Sequence, residues 1–409
     1  MNLAPADWDV VTLADVTERI TVGIASAATH AYRSEGVPLI RNQNIRPGKL
    51  DDRDLLYVDR GYEQAYKNKR LRAGDLLTVR TGYPGTTCIV PPAFDGAQSF
   101  TTLISRPRPA KVDSRFLNHY INSDVGQSFF TRSQIGGAQK NVNAGVLRGM
   151  PVPLPRIEEQ RAISTALDSA QAVIEGLERL TAKQCGIREA LVQQLLSGRT
   201  RLPGFDGEWR PVELGRLGTF LKGHGIKRDD VRNVGVPCIR YGELYTTYNT
   251  YAAQTVSFVE PRTAAAALPI RSGDVLFAGS GETKSEIGIS VAYLANQPAV
   301  AGGDIIVLRG TGYDPVFLAS LLNTPVVVRQ KAAAGQGDAV VHINARALSA
   351  LHVALPEVEE QTAIAAVIMD ADAEIAALRR RLKSARAIET GMAQELLSGR
   401  TRLPLEVAS

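Results

Sequence analysis

The chain has little that reacts. Its 409 residues include only three cysteines, Cys88, Cys185 and Cys238, with no CxxC pair, which argues against a disulfide framework or a cysteine zinc cluster. The five histidines, His342 and His352 among them, are too scattered to suggest a metal site. No run of about 18 apolar residues offers a membrane span. The start, MNLAPADWDVVTL, lacks the basic-then-apolar pattern of a secretion signal, so a cytoplasmic location is expected. No NPPF or DPPY tetrapeptide is present to orient a target base amine, and nothing resembles a nucleophile–base pair. The formal charge is only +5, compatible with a polyanion partner without demanding one.

Tryptophan is the scarcest residue, and its two copies, Trp8 and Trp209, stand 209 − 8 = 201 residues apart. That offset recurs. LLSGRTRLP occurs at 195–203 and again at 396–404, and PRIEEQRAI (155–163) returns as PEVEEQTAI (356–364). GVPLIR (36–41) matches GVPCIR (235–240), and LRAGDLL (71–77) matches IRSGDVL (270–276), both at 199. NVNAGVLRGMPVPLP (141–155) aligns with VHINARALSALHVALP (341–356), Asn143 opposite Asn344. The chain is one unit written twice, with agreement at apolar and turn-forming anchors and divergence between them.

Each copy has two parts. Gly- and Pro-punctuated β-type runs such as LLTVR (76–80) and DIIVL (304–308) predict a strand-rich α/β or α+β globule. After Pro155 and Pro356 no proline occurs until Pro203 and Pro404, and apolar residues recur in alternating steps of four and three. The stripe runs through Ile163, Leu167, Ile174 and Leu177, then Ile187, in the first copy. In the second it runs through Ile364, Ile368, Ile375, Leu378 and Leu382, then Ile388. That is a coiled-coil seam sustained over some forty residues, about 60 Å of helix. It predicts two long helices paired antiparallel, with Thr181 and Gln184 a polar interruption. The expected layout is a globule over 1–155, a helix over 156–198, a linker over 199–208, a second globule over 209–356, a helix over 357–399 and a tail over 400–409. The glycines of the repeated tag suit a left-handed helix end, and its arginines suit the negative end of the helix dipole. Identity at both places also suggests docking surfaces.

Two stretches approach catalysis and fall short. FAGSG (277–281) fits an FxGxG cofactor loop, and Asp274, Glu282 and Lys284 loosely match a nuclease metal string, but the first copy keeps neither pattern. The polar and basic runs in the divergent segments instead suit phosphates and base edges. In the first copy these are Arg41, Asn42, Gln43 and Asn44; Lys67, Lys69 and Arg70; Arg80 and Tyr83; and Lys140 with Asn141. In the second they are Lys222, His224, Lys227 and Arg228; Arg240 and Tyr241; Lys284; and Arg329 with Lys331. The shared Arg41/Arg240 and Asp75/Asp274 are expected to serve the scaffold or to position phosphates.

Trp8 and Trp209 with their following VVTL and PVEL, VPLIRNQNI (37–45), the GDLL and GDVL turns, the EEQ helix starts and the LLSG helix ends together resemble the specificity subunits of type I restriction–modification systems, over essentially the whole chain. The resemblance implies that each globule is a target recognition domain reading one half of a split double-stranded DNA site. It implies that the helices set the gap and hold two modification subunits. Restriction subunits would join them, with S-adenosylmethionine, ATP and Mg on those partners and no cofactor or catalytic residue in this chain. A self-contained methyltransferase or nuclease, or a coiled-coil scaffold that ignores DNA, are the other readings.

Overall fold

The GD turn that opens the third apolar run of each globule shows how the scaffold is fixed. In this computed structural model, which describes residues 5–26, 28–133, 141–337 and 340–404, Gly74 and Gly273 take φ of +87° and +96°. The turn buries the next residue, Asp75 or Asp274, at 1% and 2% exposure. Each carboxylate accepts a bidentate fork, from Arg106 at 2.8 and 2.7 Å and from Arg309 at 2.9 and 2.6 Å. A buried carboxylate without such a partner would cost several kcal/mol. These two aspartates are therefore scaffold.

The chain falls into two compact units, residues 1–179 with 380–409 and residues 180–379. In the first, Asp9–Thr12 pairs antiparallel with Pro151–Leu154. One sheet runs Thr17–Val22, Leu103–Pro107, Leu76–Thr78, Thr87–Ile89, and another runs Gln98–Phe100, Val37–Arg41, Leu56–Val58, Tyr32–Arg33. Helix Ser114–Asn122 starts at Asp113, whose side chain accepts the N–H groups of Arg115 and Phe116. Asn122, at its end, clasps both backbone groups of Thr87. The second unit repeats the plan with five-stranded sheets, Arg210–Glu213 on His352–Leu355, Asp314 as the helix cap and Asn323 clasping Ser290.

The long helices span Ile157–Leu196 and Val358–Ser398. Each begins with a buried Glu-Gln pair. Gln160 accepts the Asp113 N–H at 2.8 Å and donates to the carbonyls of Lys111 and Pro155; Gln361 likewise takes Asp314 and Pro356. The glutamates take the tags. Arg201 forks onto Glu360 with two bonds of 2.6 Å, and Arg402 forks onto Glu159, its second bond 2.7 Å. Each guanidinium also lies over a tryptophan ring, Trp209 at 6.0 Å and Trp8 at 5.6 Å. Gly198 and Gly399 take φ of +67° and +72°, as a left-handed helix end requires. A side chain at Gly399 would strike Pro5 at 2.4 Å. The repeated tag thus has an intramolecular task.

Within each unit the two helix segments run antiparallel. In the first, Leu396 and Leu397 share a core with Ile163, Leu167, Trp8 and Phe116, and Arg386 pairs with Glu178 at 2.6 Å. In the second, Leu195 and Leu196 share a core with Ile364 and Ile368, Gln184 donates to Glu374 at 3.0 Å, and Arg188 forks onto Asp372 at 2.9 and 3.2 Å. Ile174, Leu177, Ile375 and Leu378 are buried as expected. Leu382 is only partly buried, and Ile187 and Ile388 are 49% and 62% exposed. The ends of the stripe, Leu195 and Leu396, are buried again, so it is the stretch between Leu177 or Leu378 and those ends that leaves the contact face.

Lys331 is a second correction. It is 1% exposed, on helix Pro325–Ala334, at the place that Phe130 fills in the first copy. Its ammonium donates to the Gly288 carbonyl at 2.6 Å, so it cannot reach DNA. Burial pulls its pKa down from 10.5 to about 7.

Two outcomes follow from these packing facts. Because Arg188 and Asp372 are each under one-fifth exposed, removing either alone strands the other's charge. Asp372→Leu should cost about 1–3 kcal/mol, while Leu at both positions should recover most of it. Equal loss in the single and double variants on urea unfolding would contradict this. For Lys331 the unfolded chain keeps its proton up to its ordinary pKa, while the folded chain releases it near pH 7. The unfolded state therefore binds more protons between those values, and stability should rise with pH across that window. Lys331→Met should flatten this part of the profile and be more stable than the native chain at pH 7, checked by unfolding at about pH 6.5 and about pH 9.

Candidate nucleic-acid interface

In both globules the strand that follows the GD turn runs out into a loop, and that loop is braced against the segment preceding the Asn143 or Asn344 helix cap. In the first copy Thr81 bridges to Asn141; in the second Ser280–Gly281 pairs with Val341–His342. The sequence dictates this geometry. Gly82 and Gly85 take φ of +89° and +97°, and Gly85 sits so close to the Phe130 ring that an added side-chain carbon would meet it at 2.4 Å.

On the first ledge three separated segments meet. Asn42 donates to Thr81 Oγ1 at 3.2 Å and accepts the Arg80 N–H at 3.5 Å. Asn141 accepts from Arg80 Nε at 3.2 Å. Two residues past Thr81, Tyr83 is 85% exposed. Asn42, Arg80, Tyr83 and Asn141 are thus brought to one place. Their neighbours are engaged elsewhere. Arg41 and Gln43 both bond Asp54, and Asn44, 2% exposed, closes the turn to the carbonyls of Asp51 and Asp54. Asn44 is therefore a turn residue, not a reader. Lys69 donates to the Gly23 carbonyl, and Arg70 forks onto the buried Glu63, while Lys67 is exposed on the same turn. Lys140 lies outside the described residues.

The second ledge carries different chemistry on the same frame. Tyr241, Gly279 and His342 stand at the positions of Asn42, Arg80 and Asn141. The His342 ring bonds Ser280 Oγ at 2.9 Å, and Tyr245 donates to the Ser280 carbonyl at 2.9 Å. The loop then runs through Glu282, Thr283, Lys284, Ser285 and Glu286, all exposed, with Thr283 bonded to Glu286. Tyr241 is 42% exposed, and Arg240 is tied back to Glu243 through its Nε and its backbone N–H. Lys222, His224, Lys227 and Arg228 belong to a separate stretch, where His224 bonds the Ala266 carbonyl and the Lys227 N–H bonds Asp230. Arg329 is exposed on helix Pro325–Ala334. His342, which the sequence reading passed over, stands on this ledge; its register opposite Asn141 was the signal that could have found it.

The catalytic near-misses dissolve on the same geometry. Asp274 is saturated by Arg309, away from the exposed Glu282 and Lys284. In FAGSG the N–H groups of Ala278 and Gly279 are spent on Ile289 and Asp304, leaving no cradle for a cofactor. Among the described residues no group of three or more His, Cys, Asp or Glu could hold a metal. Burial pushes the thiols of Cys88 and Cys238 up to about 12. Among the described residues no helix is long and apolar enough to cross a membrane.

Comparison with known proteins places this architecture. The family described as type I restriction modification DNA specificity domain matches residues 5–183. The chain is 25% identical over 211 residues to the type I restriction enzyme EcoBI specificity subunit of Escherichia coli, covering 51% of this chain and 44% of that one. The match thus spans less than half of that relative. The putative type I restriction enzyme MjaX specificity subunit of Methanocaldococcus jannaschii is 22% identical over 98% of this chain and 95% of its own length. The crystal structure of the type I restriction–modification system S subunit from M. genitalium shares the fold, with a TM-score of 0.60 at 14% identity over 95% and 96% of the two chains. With the anchors of the matched domain written a second time between Trp209 and the final tag, and the fold shared nearly end to end, the chain is similar along its length to the specificity subunits of type I restriction–modification systems.

Proposed function

We propose that this protein reads a bipartite DNA site, residues 1–155 recognising one half and residues 209–356 the other. One observation carries the reading. Residues that hold the frame are the same in both copies (Trp8/Trp209, Glu159/Glu360, Asp75/Asp274, Arg402/Arg201), while those on the braced ledge differ in kind. A protein that needed one binding surface twice would keep the ledge and let the frame drift. Here the frame is kept and the ledge varies, as two readers of two sequences require. The modest basic excess suits a phosphate backbone, and association should weaken as salt rises.

The long helices set the distance between half-sites and carry two modification subunits, with restriction subunits joining the assembly. Chemistry resides on those partners: S-adenosylmethionine for methyl transfer, ATP and Mg for translocation and cleavage. This chain contributes no catalytic residue and works in the cytoplasm. The self-contained enzyme and the DNA-blind scaffold are both less well supported, because neither accounts for two unlike ledges on one repeated frame.

The test is methylated-site mapping of the host genome with and without the gene, followed by exchange of residues 1–150 for those of a related subunit. The exchange should change one half of the methylated motif and leave the other half and the gap as they were. Inserting four residues after Leu177, about 6 Å of helix, should change the gap or disable the complex with both half-sites unaltered. Coupled change of both halves on domain exchange would contradict the two-reader account.

A further inference from the structure

From the first ledge we infer that Arg80 is the direct base reader of the first globule and that its target is a guanine. The inference rests on the DNA-reading function proposed above and goes further by assigning a base to a residue. Arg70 and Arg106 spend their forks on Glu63 and Asp75, and Arg41 likewise ties a terminal nitrogen to a carboxylate, that of Asp54. Arg80 does not. Its backbone N–H and its Nε are held by Asn42 and Asn141, and among the described residues its two terminal nitrogens meet no acceptor. The side chain is only partly exposed, so the guanidinium is aimed before any ligand arrives.

A guanidinium held at Nε with a free pair of N–H groups matches the O6 and N7 acceptors of guanine in the major groove. A phosphate contact needs no such bracing, because a flexible Lys or Arg serves as well. The bracing groups are themselves specific to this copy. The equivalent positions hold Tyr241, Gly279 and His342, so the second globule lacks this fork and must read its half-site by other groups. Tyr83 stands beside Arg80 with its ring in water, a planar apolar face on the same exposed tip.

The experiment uses the full chain in its complex with the modification subunits. The methylated motif is first mapped with the native gene; if no motif depends on this gene, the DNA-reading function itself fails and the assignment to Arg80 is not what failed. Where the motif is found, the half changed by exchanging residues 1–150 must contain a G·C pair, and a half-site without one overturns the inference. Arg80→Ala should make a single G·C position in that half degenerate, with discrimination there falling about 5- to 150-fold. Arg80→Gln should shift that position toward A·T. The second half-site and the gap should not change. Normal methylation of an unchanged motif by Arg80→Ala overturns the inference. So does a uniform loss over all sequences with a salt slope smaller by about one, the mark of a phosphate contact. Should Arg80→Ala fail to assemble, Asn141→Ala keeps the arginine and releases its Nε. It should loosen the same base pair alone, and an unchanged motif there is equally fatal.

Discussion

A buried carboxylate at the start of each long helix governs the rest of the structure. Glu159 and Glu360 are each 2% exposed, and a lone carboxylate there would be far too costly to keep ionised. Each is rescued by an arginine that arrives from the end of the other long helix, forked on the carboxylate and laid over a tryptophan. Geometry is strict at such a site. The fork demands a planar guanidinium, the ring demands close approach, and the helix end demands a left-handed glycine three residues earlier. That combination explains why LLSGRTRLP is written identically twice. The constraint acts on the whole nine-residue turn, not on its charge alone.

With the helix ends fixed, the globules are free to differ. Each hangs on the same small set of clasps: the Gln160/Gln361 links to the Asp113/Asp314 helix cap, the Asn122/Asn323 clasp and the Asp75/Asp274 fork. None of these touches the tip of the ledge. Substitution there leaves these clasps intact, so the ledge can diverge without loosening the frame. This separation of frame from ledge would let one repeated design carry the two specificities proposed above.

Much of this was legible in the sequence because the chain supplies its own comparison. The offset near 201 exposed the anchors, the long proline-free runs exposed the helices, and the anchor-and-gap pattern located the variable loops. Partners distant in sequence were not legible. Nothing local tells that Arg201 seeks Glu360, 159 residues away, because only the fold brings them together. Composition misled where a polar side chain serves the interior. Lys331 sits on a turn carbonyl at the place Phe130 occupies in the other copy, and Asn44 closes its own loop. Heptad counting also overran, since Ile187 and Ile388 keep the period but not the contact. His342 shows the converse: as a lone histidine it carried no signal, and only its register opposite Asn141 gives it meaning.

The dependence on the crossed pairs can be measured directly by a double-mutant cycle on Glu159 and Arg402, using Gln and Leu replacements and urea unfolding of the full chain. If the arginine is what permits the buried carboxylate, Arg402→Leu alone should be strongly destabilising. The double variant Glu159→Gln with Arg402→Leu should then lose much less than the two singles added together, with a coupling of at least about 1 kcal/mol. Strictly additive losses would mean that the pair does not hold the helix end, and that the identity of the two tags has another cause.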